Sequence, residues 1–286
     1  MTPSENLTSK PIISAKHITP QEIARVTEKI LAEKNLDFRH YKHSFLARRL
    51  SRRIQFSHTN NIDNYLDRIS NDSAEYQLLL RDLVIQVSEF FRDAPVFQYL
   101  DTVVIPNIIE EVRNRGSKTI KVWCPGCATG EEVFSITILL LEQLEEIAED
   151  IDILVYGTDI SMNALEIART TNYHVNKLKN ISERLKKKYF IKQGEMFKLL
   201  PIVKEKVKLG FHDLVHDPPI NHLNMLICRN VCIYLERQLQ NELFKKFTYA
   251  LDERGYLLLG KAESLTDNTK SNFRALEQRF RIFQKK

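Results

Sequence analysis

No apolar run in the 286 residues approaches the roughly 20 that a membrane-spanning helix needs. The opening "MTPSENLTSKPIISAK" also lacks the basic-then-apolar layout of a secretory signal, so cytoplasmic residence is expected. Only four cysteines occur, too few for a disulfide scaffold in a chain of this length. Internal repeats and low-complexity tracts are absent, and so is a convincing Ser-His-Asp or Cys-His grouping for nucleophilic catalysis. What remains is ordinary globular composition, 43% hydrophobic and 28% charged. Its length allows one large domain or two modest ones. A net charge of +5 suits an acidic partner without choosing among nucleic acid, membrane surface and carboxylate-rich protein.

The cysteines need one further exclusion. Cys124 and Cys127 have zinc-like spacing, and Cys228 and Cys232 follow much later. Structural zinc sites usually come from short exposed knuckles, whereas both pairs adjoin strand-like runs, "IKVW" and "NMLI". A redox pair would open a helix directly, with no glycine turn after it. They read as small buried residues, and no metal site is expected.

Residues 1–18 are polar and carry two prolines, which suggests a flexible arm. Residues 19–98 read as a helical domain. In "TPQEIARVTEKILAEKN", Thr19 caps, Pro20 sits at the first helical position, and Ile23, Val26, Ile30 and Leu31 recur at helical spacing. Residues 99–286 follow a different pattern. A helix in "TVVIPNIIEEVRNRG" leads to "KTIKVWC", a strand, and "EEVFSITILLLEQLEEIAED", a long helix. "IDILVYGTDI" and "SMNALEIART" repeat the pair. "NMLICRN" opens as a strand, "RQLQNELFKKFTYALDERG" is a helix and "YLLLG" a strand. Such alternation implies an α/β domain with a mostly parallel sheet covered on both faces. Residues 174–212 break the rhythm with short strand-like runs and read as a small inserted β-subdomain.

The segment "KVWCPGCATGEE" sits where the first strand passes into a helix. Gly126 and Gly130 permit tight turning and close backbone approach. The helix N-terminus that follows offers free N–H groups to an anionic or electron-rich ligand. The spacing is not G-x-G-x-x-G, and the next strand-end acid, Asp159, comes later than the roughly 20 residues of a dinucleotide fingerprint. Glu131 and Glu132 would repel a pyrophosphate. They tolerate a phosphate-free ligand that is positively charged at sulfur, so S-adenosylmethionine fits better than NAD.

"VSEFFRDAPVF", "VWCPGCATGEEVFSI", "YGTDISMNALEIAR", "ICRNVCIYL" and "GYLLLGKAESL" stand in this order, with "RRLSRRI" ahead of them. Together they resemble the CheR family of S-adenosylmethionine-dependent chemoreceptor glutamate O-methyltransferases, from Gln21 to Phe283. The resemblance implies an all-α N-terminal domain and a Rossmann-like class I methyltransferase domain with an inserted β-subdomain. It implies methyl esterification of glutamate side chains on the acidic cytoplasmic helices of chemoreceptors, with S-adenosyl-L-homocysteine as the other product. The enzyme would be a monomer recruited to membrane receptor arrays without entering the bilayer. By motif, Gln86, Ser88, Arg92, Gly126 and Glu131 bind the cofactor. Asp159, Asp213, Leu214, Arg229 and Asn230 complete that set, and Arg92 and Tyr234 are the catalytic pair. Four positions depart from the usual pattern: Ser88 for Thr, Ala128 for Ser, Asp213 for Asn and Asn224 for Asp. The insert around "KQGEM" is also short.

A glutamate carboxylate is ionised at pH 7, so methyl transfer to it needs no general base. It needs alignment and exclusion of water. The stretch "FRHYKHSFLARRLSRRIQ" carries Arg39, Lys42 and an arginine cluster, with no acid. Leu46, Ala47, Leu50 and Ile54 share one helical stripe, and Lys42, Arg48, Arg49, Arg52 and Arg53 fall on the other side. Arg48, Arg49, Arg52 and Arg53 are therefore the expected substrate-binding residues, steering an acidic helix bundle. Two rival readings are a nucleic-acid methyltransferase and a catalytically silent receptor-binding module. The first draws on "HDPPI", whose Ile220 cannot stack a flipped base, so no nucleic-acid partner is expected. The intact cofactor motifs count against the second.

Overall fold

The computed structural model describes residues 18–84, 88–148 and 150–286. The arm, apart from its last residue, and Gln86 lie outside the described residues. Contacts divide the chain into two compact units, Met1–Leu83 and Val84–Lys286.

The first unit holds α1 (Pro20–Lys34), α2 (His43–Phe56), α3 (Ile62–Asn71) and α4 (Ser73–Leu83). Helix α1 opens on a capping box. The Glu22 N–H donates to Thr19 Oγ1 at 3.3 Å, and the Thr19 N–H donates to the Glu22 carboxylate at 2.8 Å. Ile23, Val26 and Ile30 are buried, as their spacing predicts, and Leu46, Leu50 and Ile54 of α2 are too. Arg53 departs from the expectation of a solvent-facing substrate residue. Its side chain is only 10% exposed, with Nε and Nη2 donating to Glu75 of α4 at 3.0 and 2.6 Å. Tyr65 of α3 donates to the same carboxylate at 3.0 Å. Arg53 precedes Ile54 and follows Leu50 by three, which puts it on the flank of the apolar stripe, where α3 and α4 supply partners.

The second unit begins earlier than the expected boundary at 98. Phe90, Phe91, Val96 and Phe97 already bury in its core. Helix α5 (Ala94–Tyr99) runs through a π turn (Leu100–Val104) into α6 (Ile105–Asn114), so the helix expected near Asp101 starts about two turns sooner. Pro106 has no N–H to offer residue 102, and the Ile105 N–H instead reaches Leu100 O across a wider turn.

Next come β1 (Thr119–Pro125), α7 (Glu131–Glu146), β2 (Asp152–Asp159) and α8 (Met162–Thr170). Strands β3 (Asn172–His174), β4 (Phe190–Gln193) and β5 (Met196–Leu199) form a separate antiparallel sheet in the order β3-β5-β4, with α9 (Glu183–Tyr189) between β3 and β4. After α10 (Pro201–Lys204) follow β6 (Val207–Phe211), β7 (Leu223–Cys228), α11 (Arg237–Ala250), β8 (Leu251–Leu259), α12 (Asp267–Lys270), β9 (Phe273–Glu277) and β10 (Ile282–Lys285). The main sheet has the order β6-β2-β1-β7-β8-β10-β9, parallel except around β10.

Three expectations change. The inserted subdomain is smaller than 174–212, because β6 pairs in parallel with β2, with Val207 and Leu209 packed on the main core. "LDERG" opens β8 rather than extending α11, since Leu251 is buried and pairs with Leu223. The final hairpin, β9 and β10, adds two antiparallel strands that the strand–helix alternation does not announce.

Candidate active site

Four parallel strands end side by side: β6 at Phe211, β2 at Asp159, β1 at Pro125 and β7 at Cys228. Ligand crevices in such sheets open beyond these carboxyl ends. Asp159 closes β2, and the segments that follow the other three strands carry Gly126, Glu131 at the start of α7, Asp213, Leu214, Arg229, Asn230 and Tyr234.

In the loop after β1, Gly126 and Gly130 have φ of 69° and 90°, a left-handed backbone that a side chain would strain. A β-carbon on Gly126 would lie 2.5 Å from Val231 Cγ2, and one on Gly130 would lie 2.9 Å from Phe134 Cε2. The space these glycines save is filled by protein. They let the post-β1 loop pack on the post-β7 loop and on its own helix.

The Ala128 N–H donates to Asp159 Oδ2 and the Ser161 N–H to Oδ1, both at 2.8 Å. Burial pushes the Asp159 carboxyl up from its ordinary value, against the pull of these amides. The Ile160 amide pulls the same way, and the carboxylate still has room to accept a further hydrogen bond. On the other side the His212 N–H donates to Asp159 O at 3.2 Å, joining the post-β6 loop to β2.

Glu131 is fully buried. Thr129 Oγ1 bonds its two oxygens at 2.8 and 2.6 Å, and Lys177 forms an ion pair with it at 2.9 Å. Lys177 also donates to Ser88 O, so this lysine ties together two residues that sequence reasoning named without it. The segment from Ser88 to Asp93 is anchored by Phe90, whose ring meets Tyr173 edge-on at 4.9 Å. The Phe91 N–H donates to Ser135 Oγ at 3.0 Å. Phe91 and Asp93 have φ of 50° and 64°, costly for non-glycine residues.

That strained turn presents Arg92 O to Arg229. The Arg229 side chain is 3% exposed, and its Nη1 donates to Arg92 O at 3.2 Å and to Glu132 Oε2 at 2.9 Å. Asp93 pairs with Nη2. Nε is buried and, among the described residues, has no partner. Burial pushes the Glu132 carboxyl up, opposed by Arg229. Asn230 stands at φ 61°, and its N–H donates to Glu263 Oε2 at 2.9 Å. Tyr234 lies four residues beyond, half-buried.

Asp213 is engaged within its own loop. Oδ1 accepts from the Val215 and His216 N–H groups at 2.8 and 3.3 Å, and Oδ2 faces His216 Nδ1 at 2.9 Å. Lys246 of α11 pins the same loop by donating to Leu214 O, Val215 O and Asp217 O at 3.4, 2.6 and 3.0 Å. Asn224, at the start of β7, accepts from the Lys121 N–H at 2.8 Å. All four cysteines are buried free thiols. Among the described residues no cluster could hold a metal ion, and no helix is long and apolar enough to cross a membrane.

The donor set suits one kind of ligand. Glu131, Glu132, Asp159 and Glu263 crowd the loops where a phosphate-binding protein would present only N–H groups. The orphaned Arg229 Nε–H awaits an acceptor. Such a crevice fits a cationic nucleoside carrying its own carboxylate, which is the chemistry of S-adenosylmethionine. With the strand order above, it defines a class I methyltransferase preceded by an all-α unit. The description "CheR methyltransferase, SAM binding domain" matches residues 86–282, and "CheR methyltransferase, all-alpha domain" matches residues 21–84. The chain belongs to the CheR methyltransferase family, and S-adenosylmethionine is its cofactor. A chemotaxis protein methyltransferase of Borreliella burgdorferi is 27% identical over 259 residues, covering 88% of this chain and 91% of its own. That of Escherichia coli is 26% identical over 270 residues, covering 90% and 86%. A 104.1 kDa protein of Rhodobacter capsulatus is 26% identical over 264 residues, which are 92% of this chain but only 27% of that protein.

Proposed function

We propose that this chain transfers a methyl group from S-adenosylmethionine to glutamate side-chain carboxylates of chemoreceptors, forming glutamyl methyl esters in sensory adaptation. The observation that carries the reading is the acid-lined crevice at the carboxyl ends of β1 and β2, in a chain of the CheR family whose relatives are named chemotaxis methyltransferases.

The donor supplies an electrophilic methyl group on a positively charged sulfur and leaves as S-adenosyl-L-homocysteine. The protein's residues hold and align. The free lone pairs of Asp159 accept from ribose hydroxyls. Arg229 Nε–H and the segment around Asn230 hold the cofactor's polar end, and the Asp213–Leu214 loop borders the adenine. Ser88 and Glu131, tied by Lys177, wall the same pocket. The Arg92 guanidinium orients the incoming glutamate, and the Tyr234 O–H steadies its attacking oxygen. No base is needed, because the nucleophile is already an anion at pH 7. Water exclusion strengthens the attraction between that anion and the cationic donor.

Recognition of the receptor's acidic helices falls to α2. Arg48 and Arg52 are exposed, and among the described residues neither forms an ion pair. Arg49 and Arg52 lie over the rings of Phe45 and Phe56 at 5.6 and 5.5 Å.

The test is transfer of labelled methyl from S-adenosylmethionine to receptor cytoplasmic fragments, with RNA as the competing acceptor. Label on the receptor fragment, released by mild base as a carboxyl ester requires, is the expected result. Label on RNA, or base-stable label on protein, would overturn the reading. Arg92→Ala is expected to abolish transfer while retaining cofactor binding by calorimetry. Lost binding would move Arg92 to the cofactor.

A further inference from the structure

Glu263 lies in the loop after β8, in the "GKAES" stretch. It is 4% exposed, and among the described residues it forms no ion pair. Its two oxygens accept four backbone N–H groups. Oε1 takes those of Val231 and Cys232 at 3.0 and 2.7 Å, and Oε2 takes those of Asn230 and Gly260 at 2.9 and 2.6 Å. Every donor is an N–H, so the carboxylate is satisfied only when ionised, since a proton on either oxygen would face a donor.

Three of these amides belong to the post-β7 loop that carries the candidate cofactor and methyl-side residues. We propose that Glu263 is a positioning residue for methyl transfer: its carboxylate is the clamp that fixes the backbone from Asn230 to Cys232, and with it the stations of Asn230 and Tyr234. The inference rests on the reading of that loop given above.

Asn230 shows why a clamp is needed. Its φ of 61° is left-handed, a conformation that asparagine adopts more readily than other non-glycine residues but that stays uncommon, and the bond from its N–H to Glu263 holds it there. Its neighbour Arg229 has separate anchors in Glu132, Asp93 and Arg92 O. Loss of Glu263 therefore leaves the guanidinium held and frees the backbone beyond it. The defect falls on alignment of the methyl-side residues more than on cofactor affinity.

The experiment compares wild type, Glu263→Gln and Glu263→Asp in steady-state methyl transfer to a receptor cytoplasmic fragment. Calorimetric titration with S-adenosyl-L-homocysteine and hydrogen exchange at the four amides accompany it. Glutamine keeps the size but turns an NH2 toward two of the donors. Its kcat is expected to fall roughly 100-fold, the scale of an ångström's misplacement, with KM for the cofactor changed less than about threefold. Protection of the Asn230, Val231, Cys232 and Gly260 amides is expected to drop about tenfold. Aspartate keeps the charge but is one methylene shorter, and an intermediate kcat is expected. If the glutamine variant does not fold, the aspartate variant carries the comparison. Unchanged kcat in a folded variant, or a loss wholly explained by a raised cofactor KM, overturns the clamp. A wild type that binds no cofactor and transfers no methyl overturns the functional reading instead, while the amide protection still reports on the clamp.

Discussion

Gly126 does its work through the space it leaves to Val231 of the post-β7 loop. The position a β-carbon would take lies 2.5 Å from Val231 Cγ2, closer than any real contact, so one methyl group there forces the Val231 side chain, or the two loops that meet at it, to shift. Gly126→Ala is therefore expected to destabilise the second unit by about 2–4 kcal/mol, from overpacking plus left-handed strain. It should also weaken S-adenosyl-L-homocysteine binding at least tenfold, checked by denaturant melts and calorimetry. Stability and affinity both at wild-type level would show that the two loops are not coupled through this contact. Asp213 illustrates the opposite limit of single-residue reasoning. Its match to the family motif marked it for the cofactor, and its two oxygens also bond within its own loop, to the Val215 and His216 N–H groups and the His216 ring.

Helix α2 shows how one element sorts similar residues into different work. Arg52 is exposed over Phe56, whereas the next residue, Arg53, is enclosed by Glu75, Tyr65 and Asp82. Removing one partner of a buried ion pair leaves an uncompensated charge, so Arg53→Ala is expected to cost the first unit about 3–5 kcal/mol. Arg52→Ala should stay within about 0.5 kcal/mol. Urea denaturation of the two variants separates them, and equal stabilities would refute the assignment. The turn before α2 has its own pH signature. Arg39, by side-chain hydrogen bond first, holds the Asp37 carboxyl at about 2, below its ordinary 3.8. The folded state releases this proton more readily than the unfolded chain, so the contribution is present above about pH 4 and lost as pH falls through 2. Arg39 is half exposed, so solvent screens part of this contribution. Asp37→Asn should remove that fraction of the acid-side slope, while an unchanged slope between pH 4 and 2 would count against it.

At the scale of the molecule, charge and chemistry divide between the two units. The second carries the acid-lined crevice, and the first carries the exposed arginines of α2. Steering by such charges acts over about a Debye length and weakens with salt. Arg48→Glu with Arg52→Glu is expected to raise KM for an acidic receptor fragment at least tenfold and to flatten its dependence on ionic strength. Affinity for S-adenosyl-L-homocysteine should be untouched. Initial rates from low to high salt provide the check, and parallel salt curves for wild type and variant would remove α2 from recognition.

The sequence by itself determined what is local. The Thr19 cap, the helical periods of the first unit, the strand–helix alternation and the glycine turn before Glu131 can each be read within a few residues, because each depends on backbone sterics and nearest neighbours. Several features were settled only in three dimensions. The edge strand β6 was recruited by β2, Arg53 by acids from another helix, and Glu263 by four amides mostly some thirty residues away in the chain. Lys177 reached Ser88 and Glu131 across still longer separations. A buried charge or an unpaired strand edge carries no local mark of its partner, and its free energy exists only once the chain has brought that partner into contact.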